Sequence, residues 1–172
     1  QNKGTIKNSH AEGNISGTSD LCGLVGSING GEILYSYADG TVTGESIIGG
    51  LVGSLSGTVK NSHATGKIEG NDNIGGLIGK GSGLILNSYA NNVINGASRI
   101  GGLVGTFNGV IEESKALCEV NSREGNYTGG LIGYTSASII SCYSESIVNA
   151  ANTWCVGGLA GYSTSNEISK SY

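Results

Sequence analysis

Two histidines, His10 and His63, are the side chains of this sequence best suited to general acid–base chemistry near neutral pH. A general base has to be one uniquely placed group that is matched to its task. The position of these histidines recurs along the chain, however, and there it is filled by Tyr37, Tyr89 and Tyr143. Because histidine and tyrosine replace one another, we predict an outward ladder of stacked rings that stabilises a sheet. The alternative is a ladder that contacts sugars or a partner surface.

The acidic side chains offer no second route to catalysis. The 13 Asp and Glu residues are scattered along the chain, whereas glycosidases need two carboxyl groups that face one substrate. The adjacent Glu112 and Glu113 should point to opposite faces of a strand. The sequence has no Cys-x-x-Cys pair, no His at zinc spacing from a Cys and no Gly-Lys-Ser/Thr phosphate loop. We therefore predict no catalytic residue, no metal site, no cofactor and no enzymatic activity.

Four cysteines, Cys22, Cys118, Cys142 and Cys155, could form disulfides or remain thiols. They occupy four different positions of the repeat described below, so no two of them are direct neighbours in successive repeats. Cys142 and Cys155 share one repeat and are the pair most compatible with a Cα separation limit of about 7 Å. The alternative is that the cysteines are buried free thiols that act as small apolar side chains.

Two sequons are candidates for N-glycosylation in a host that glycosylates its proteins. Asn14 begins the triplet Asn-Ile-Ser, and Asn126 begins the triplet Asn-Tyr-Thr.

Glycine dominates the composition and limits the elements that can position these residues. Of 172 residues 32 are Gly and none is Pro, while 37% are hydrophobic and the net charge is −4. Glycine costs about 1 kcal/mol in a helix interior relative to Ala, so long helices are excluded. Collagen would need abundant Pro, and disorder would need fewer apolar residues. A pI of about 5.1 and the lack of a long apolar run argue against nucleic-acid binding and membrane insertion.

The glycines belong to a tandem repeat. The phrase Gly-Gly-Leu-Val-Gly, with small changes, begins at six positions spaced 26 to 28 residues apart: Cys22, Gly49, Gly75, Gly101, Gly129 and Gly157. A second phrase follows at a fixed distance, as in Asn-Ser-His-Ala at 61–64. A third, Gly-x-Val/Ile-x-Gly, alternates small and aliphatic residues, as at 66–70. Residues 133–137 lose a glycine that other repeats keep, which predicts a changed turn there.

Three short segments with turns between them fill one repeat and predict one coil of three strands. The fold is therefore expected to be all-β: a right-handed parallel β-solenoid (β-helix) of roughly triangular section, with about six coils of 26–28 residues. We predict a single domain over residues 1–172. Stacking places equivalent residues about 4.8 Å apart. Two aliphatic columns should form a thin core: Leu24, Leu51, Leu77, Leu103, Leu131 and Leu159, and Ile15, Val42, Ile68, Ile94, Val120 and Val148.

These phrases resemble the GLUG motif. Its pattern is matched by Gly-Gly-Leu-Val-Gly at 49–53, Asn-Ser-Tyr-Ala at 87–90 and Gly-Thr-Val-Thr-Gly at 40–44, and the resemblance covers nearly the whole chain. GLUG repeats occur in bacterial surface adhesins and in the non-catalytic N-terminal regions of some immunoglobulin A metallopeptidases. The resemblance implies a scaffold that is secreted or displayed at the cell surface.

We accordingly expect an extracellular structural and adhesive module, which serves as a rigid stalk, spacer or fibre element. Neither end of the sequence reads as a cap, so we expect part of a longer chain or a subunit that stacks into a fibre. The expected partners are further copies joined end to end, flanking domains of the same chain, and a glycan or another cell-surface ligand.

Two alternatives remain open at this point. One is a non-catalytic scaffold region of a secreted peptidase. The other is an ice-binding surface, which needs a flat rank of small polar side chains. One column is regular in this respect: Asn29, Ser56, Ser82, Asn108, Ser136 and Thr164. The adjacent column is interrupted by a lysine and two tyrosines: Ser27, Ser54, Lys80, Thr106, Tyr134 and Tyr162.

Overall fold

The computed structural model describes residues 4–165 and 167–172, and their regular structure is entirely β. Each coil contributes strands to three parallel sheets, which we number 1, 2 and 3 in the order in which the chain enters them. Every strand pairs with the equivalent strands of neighbouring coils. The predicted all-β parallel β-solenoid of about six coils is confirmed. The described residues include no helix that could span a membrane.

Sheets 1 and 2 have nine strands each, and sheet 3 has six. The strands of sheet 1 are Thr5–Lys7, Val25–Leu34, Val52–Lys60, Ile78–Leu86, Val104–Glu112, Ile132–Thr135, Ser138–Ile140, Ala160–Ser163 and Ile168–Ser169. The strands of sheet 2 are His10–Glu12, Ile15–Ser16, Tyr37–Thr43, His63–Glu69, Tyr89–Gly96, Lys115–Ala116, Glu119–Ser122, Tyr143–Ser144 and Ile147–Ala150. The strands of sheet 3 are Ser19–Cys22, Ser46–Gly49, Asp72–Gly75, Ser98–Gly101, Gly125–Gly129 and Thr153–Gly157.

The register of the sheets follows the sequence repeat. Gly49 pairs with Gly75 in sheet 3, and Ile68 pairs with Ile94 in sheet 2. Where a coil is longer, the extra residues leave this register intact. The first coil absorbs one residue as an irregularity between Asn29 and Glu32. Insertions at such points therefore do not shift the side chains of later coils to the wrong face of a sheet.

The predicted aliphatic columns form the core of the central coils. Leu51, Leu77 and Leu103 are fully buried, as are Ile68 and Ile94. At the two ends the same columns become accessible to solvent: Leu24, Val148 and Leu159 are partly buried, and Ile15 is exposed. Each buried aliphatic side chain contributes about 1.5–3 kcal/mol relative to an exposed one. The core is thus a continuous stack that depends on having a coil on either side.

In the coils before the last one, the second glycine of the Gly-Gly-Leu-Val-Gly phrase lies close to sheet 2 and to the backbone of the next coil. A Cβ added at Gly76 would lie 2.7 Å from the Cβ of Ala90 in sheet 2. The equivalent distance from Gly50 to the Cβ of Ala64 is 2.6 Å. Real Cβ atoms do not approach other atoms so closely, so this corner admits glycine alone.

The changed turn predicted at residues 133–137 is present in the structure. Sheet 1 runs without a break through Val104–Glu112, but the next coil divides it into Ile132–Thr135 and Ser138–Ile140. The hydroxyl of Thr135 closes the gap, because it accepts a hydrogen bond from the backbone N–H of Ala137 (2.8 Å) and donates one to the carbonyl of Phe107 (3.2 Å).

Candidate functional site

The two histidines lie in a stack of rings on sheet 2. The ring centroids of His10 and Tyr37 are 5.0 Å apart, those of Tyr37 and His63 are 5.1 Å apart, and those of His63 and Tyr89 are 4.6 Å apart. The planes of successive rings differ by at most 8°. Partial burial lowers the pKa of His63 below its usual value of 6.5. This geometry places the histidines as members of a periodic stack.

The same stack continues through a cation. Lys115 occupies the ladder position of its coil, and its Nζ lies 5.7 Å from the ring centroid of Tyr89 and 5.6 Å from that of Tyr143. A hydrogen bond with Tyr143 raises the pKa of this lysine. Tyr143 then stacks on Tyr172 at 5.6 Å. Lys115 was not predicted to belong to this ladder, although the regular spacing of the repeat places it at the ladder position.

We call this array the aromatic ladder. It consists of His10, Tyr37, His63, Tyr89, Lys115, Tyr143 and Tyr172. The ammonium group of Lys115 is attracted to the negative faces of the two tyrosine rings beside it. Because neighbouring rings cover one another's faces, the ladder presents a row of ring edges, polar ring atoms and one ammonium group to a ligand.

Three of the carboxylates that the structure describes have side-chain partners. Within the residues that the structure describes, no group of three or more His, Cys, Asp or Glu side chains could hold a metal ion. Glu69 forms an ion pair with Lys67 at 2.7 Å. Asp20 accepts a hydrogen bond from Ser54, and Asp72 is paired with Arg99. Each of these three carboxylates therefore has a structural partner.

The four cysteines are free thiols. Cys142 is fully buried, and its Sγ lies 3.3 Å from the carbonyl oxygen of Ile140, whereas Cys155 is exposed on sheet 3. The disulfide considered between Cys142 and Cys155 is therefore not formed in this structure. Burial raises the pKa of Cys22 and of Cys118 to about 11, so these thiols are protonated at neutral pH. Three of the four cysteines thus fit the alternative of buried small apolar side chains.

Both sequon asparagines are exposed. The side-chain oxygen of Asn14 accepts a hydrogen bond from the backbone N–H of Thr41 at 3.1 Å. Asn126 lies on sheet 3, and the hydroxyl of Thr128 in the same sequon is buried without a hydrogen-bond partner among the described residues. Glycosylation at either position stays a prediction.

A column of serines separates sheets 1 and 2, and we call it the serine corner: Ser9, Ser36, Ser62, Ser88, Ser114 and Ser171, with Cys142 in one coil. The hydroxyl of Ser62 accepts a hydrogen bond from the backbone N–H of Ser36 at 3.1 Å and donates one to the carbonyl of Lys60 at 2.8 Å. Ser88 and Ser114 repeat this pattern. The residue before each member has a positive φ: Asn8, Tyr35, Asn61, Asn87, Glu113, Ser141 and Lys170.

A second left-handed column runs along sheet 3 and is varied in sequence: Asp20, Ile47, Asn73, Arg99, Tyr127 and Cys155. Its backbone packs against the last glycine of the phrase in the following coil. A Cβ added at Gly105, for example, would lie 2.7 Å from the carbonyl carbon of Asn73. The glycines thus allow sheet 3 to approach sheet 1 closely. Side chains of the left-handed column therefore lie beside the outward-facing side chains of sheet 1, which include Lys80 and Tyr134.

At the C-terminal end these two columns enclose a depression of about 230 Å³ that we call the tyrosine cleft. Its lining consists of Asn73, Lys80, Arg99, Thr106, Tyr127 and Tyr134. Tyr134 stacks on Tyr162 with ring centroids 5.4 Å apart, and Tyr127 is tilted against both rings at 5.4 and 5.2 Å. In the sequence, Lys80 and Tyr134 are visible as residues that interrupt a column of small polar side chains. Their proximity to Arg99 and Tyr127 is seen only in the structure.

The family comparison agrees with this architecture. The family model described as the GLUG motif matches residues 44–69. Residues 44–69 of the chain therefore contain a GLUG motif. Neither the curated proteins nor the solved structures give a match to the chain.

The matched GLUG segment corresponds to one coil. It contains the sheet 3 strand Ser46–Gly49, the sheet 1 strand Val52–Lys60 and the sheet 2 strand His63–Glu69. The next coil pairs with these three strands residue by residue, so the coil formed by the matched segment is repeated along the solenoid. The Ser of the serine corner and the glycines of the phrase are therefore the framework of the repeat, whereas the aromatic ladder and the tyrosine cleft lie on its variable faces.

Proposed function

We propose that this GLUG-repeat chain is a rigid, non-catalytic module of a secreted or cell-surface protein, which acts as a stalk or fibre element and contributes to adhesion. The observation that carries the proposal is the aromatic ladder, which continues in register from His10 to Tyr172 on one face of the solenoid. A continuous row of rings presents many equivalent contacts to a glycan or to another surface ligand. Multivalent contact of this kind strengthens weak individual interactions.

Three features support a structural rather than a catalytic role. Both histidines are stacked on tyrosines. The carboxylates Asp20, Glu69 and Asp72 have structural partners, and the thiols of Cys22, Cys118 and Cys142 are buried. None of these groups is poised beside a second group with which it could share a reaction.

The proposal is tested by adhesion of the full 172-residue chain. Beads coated with the chain are compared with beads coated with the double variant Tyr37→Ser/Tyr89→Ser, using a glycan array and intact cells as the surfaces. We expect the double variant to lose most of the binding, since it interrupts the ladder at two points. The matched control is Tyr35→Ser, which removes an exposed tyrosine outside the ladder. Equal binding by the double variant and the parent chain would contradict an adhesive ladder.

Other measurements separate the alternatives. Surface labelling of intact producing cells tests the extracellular location, and sedimentation over a concentration series with electron microscopy tests end-to-end assembly. Thermal hysteresis would support the ice-binding alternative instead. A His-Glu-x-x-His motif downstream in the full gene would support a scaffold region of a secreted peptidase.

A further inference from the structure

The tyrosine cleft is separate from the aromatic ladder, since it lies between sheets 3 and 1 and the ladder lies on sheet 2. Tyr127 reaches the cleft from a backbone with a φ of 64°. This left-handed conformation recurs at the same position of every coil, and in this coil it places the Tyr127 ring against Tyr134 and Tyr162.

The spacing of the outward column of sheet 1 creates a gap beside Tyr134. Lys80, Thr106 and Tyr134 follow one another in three successive coils. With a rung spacing of about 4.8 Å, the Cα atoms of Lys80 and Tyr134, two coils apart in this column, are about 10 Å apart. Thr106 between them is short, so one face of Tyr134 looks across the gap toward Lys80.

A network of hydrogen bonds fixes the floor of the gap. The hydroxyl of Thr106 donates to the side-chain oxygen of Asn73 at 2.7 Å, and the side-chain N–H of Asn73 donates to Asp72 at 2.8 Å. Asp72 is also the ion-pair partner of Arg99. The charge of Arg99 is therefore balanced within the protein.

Lys80 is the cation that this network leaves available. It is exposed, and the ion pairs found within residues 4–165 and 167–172 join Lys67 to Glu69 and Arg99 to Asp72, so that none involves Lys80. The cleft consequently combines one aromatic face, one uncompensated ammonium group and fixed amide and hydroxyl groups.

From this arrangement we propose that the tyrosine cleft binds a carboxylated pyranose, that is, a uronic acid or a sialic acid residue of an acidic glycan. The C–H face of the ring packs on Tyr134, because C–H groups carry partial positive charge and the aromatic face is negative. The carboxylate accepts charge-assisted hydrogen bonds from the ammonium group of Lys80. The sugar hydroxyls face Asn73 and Thr106.

The decisive experiment titrates the 172-residue chain with D-glucuronic acid and N-acetylneuraminic acid, with D-glucose as the neutral probe, and follows binding by saturation-transfer NMR and calorimetry. A shallow site for one sugar residue predicts a Kd on the order of 1 mM for the acidic sugars. Lys80→Ser installs the residue that precedes it in the same column, Ser54, and should weaken binding of the acidic sugars about tenfold. Because Lys80 is exposed, this variant keeps the fold.

Two further variants complete the design. Tyr134→Thr installs the residue of the preceding coil, Thr106, and should abolish binding of acidic and neutral sugars alike. The control is Lys67→Thr, which replaces an exposed lysine of sheet 2 by the residue found at Thr41 and should leave binding unchanged. Glucuronate that binds no better than glucose, or that binds equally well to Lys80→Ser, would overturn the proposal.

The result can be separated from that of the proposed adhesive function. The ladder variant Tyr37→Ser/Tyr89→Ser leaves the tyrosine cleft intact, and it should bind glucuronate like the parent chain. If the ladder variant loses adhesion and still binds glucuronate, the ladder is the adhesive surface and the cleft is a separate site. If the parent chain adheres but does not bind glucuronate, the proposal for the cleft is wrong and the proposed adhesive function is unaffected.

Discussion

The serine corner and the left-handed column of sheet 3 contain the same backbone conformation, but they use it differently. Each has a residue with positive φ in every coil. At the serine corner this residue precedes a buried hydroxyl that links successive coils, as Ser62 links Ser36 and Lys60. In the central coils of sheet 3 it precedes the buried side chains of Ile48, Ile74 and Ile100 and packs against glycine. The serine corner is nearly uniform in sequence because its hydroxyl groups bind the backbone of the neighbouring coil. The side chains of the sheet 3 column have no such shared role, so they vary from coil to coil, and some of them line the tyrosine cleft.

The largest expected difference between the two columns concerns their cysteines. Cys142 lies buried in the serine corner, where burial raises its pKa, and Cys155 is exposed in the sheet 3 column. With a thiol reagent at pH 8, we expect one thiol, Cys155, to react rapidly. Cys142 should react at least about a thousandfold more slowly, because its exposure requires unfolding at a cost of about 5 kcal/mol or more. Cys155→Ser should abolish the rapid phase. A parent chain with no rapid phase would instead indicate a disulfide.

The next largest effect concerns the glycines that hold sheet 3 close to its neighbours. Gly76→Ala would place a Cβ against the Cβ of Ala90 and the backbone of Gly102, and should destabilise the protein by about 3 kcal/mol in urea unfolding. Gly158→Ala is the matched control at the same position of the phrase, since no atom lies within 4 Å of the added Cβ. Equal effects of the two substitutions would contradict steric exclusion as the reason for glycine.

The serine corner itself is tested by Ser62→Ala. This substitution leaves the buried N–H of Ser36 without its acceptor, and we expect a loss of about 2 kcal/mol in unfolding free energy. Ser56→Ala on the exposed face of sheet 1 should change stability by less than about 0.5 kcal/mol. If the two alanine variants were equally stable, the corner would not depend on its hydroxyls.

A smaller effect of opposite sign distinguishes the two left-handed columns. Tyr35→Asn installs a residue that suits positive φ at an exposed position of the serine corner, and should raise stability by about 1 kcal/mol. Tyr127→Asn relieves the same backbone conformation but removes the contacts with Tyr134 and Tyr162, and should lower stability by about 1 kcal/mol. The melting temperatures of both variants measure this. The same sign for both would mean that the columns are equivalent.

The smallest effect is a pH dependence in the aromatic ladder beside the serine corner. Burial lowers the pKa of His63, so the folded chain binds a proton on this residue less readily than the unfolded chain does. Stability is therefore full above the unfolded value of about 6.5 and declines as the pH falls below it. His63→Tyr should reduce the slope of melting temperature against pH between 7 and 5. An unchanged slope would assign the pH dependence to other groups.

Much of the framework could be predicted from the sequence. The regular recurrence of Gly-Gly-Leu-Val-Gly determines the coil length, and coil length determines which residues stack, as Leu77 stacks on Leu51 and Leu103. The stacking of His10, Tyr37, His63 and Tyr89 follows from the same periodicity. Only Lys115 was missed, because its surrounding phrase had diverged to Glu-Ser-Lys-Ala.

The tyrosine cleft could not be predicted in the same way. Ile47, Arg99 and Tyr127 have a left-handed backbone, which their residue types do not favour. The sequence therefore gave no reason to predict that conformation at these positions. Their side chains meet residues of a different column in the next coil, and this contact depends on how closely glycines allow sheet 3 to approach sheet 1. Periodicity identifies residues that share a column, but it does not show which two columns lie side by side.

Within each of the three sheets, hydrogen bonds join successive coils and run along the axis of the solenoid. This arrangement has a mechanical consequence. A load applied along that axis pulls on these bonds at the terminal coil first, so coils detach one after another rather than together. Each detached coil of 26 to 28 residues provides about 90 Å of extended chain in place of the roughly 4.8 Å it occupied in the stack. Under tension the solenoid would therefore lengthen in discrete steps and dissipate energy at each one, while its remaining coils keep their shape.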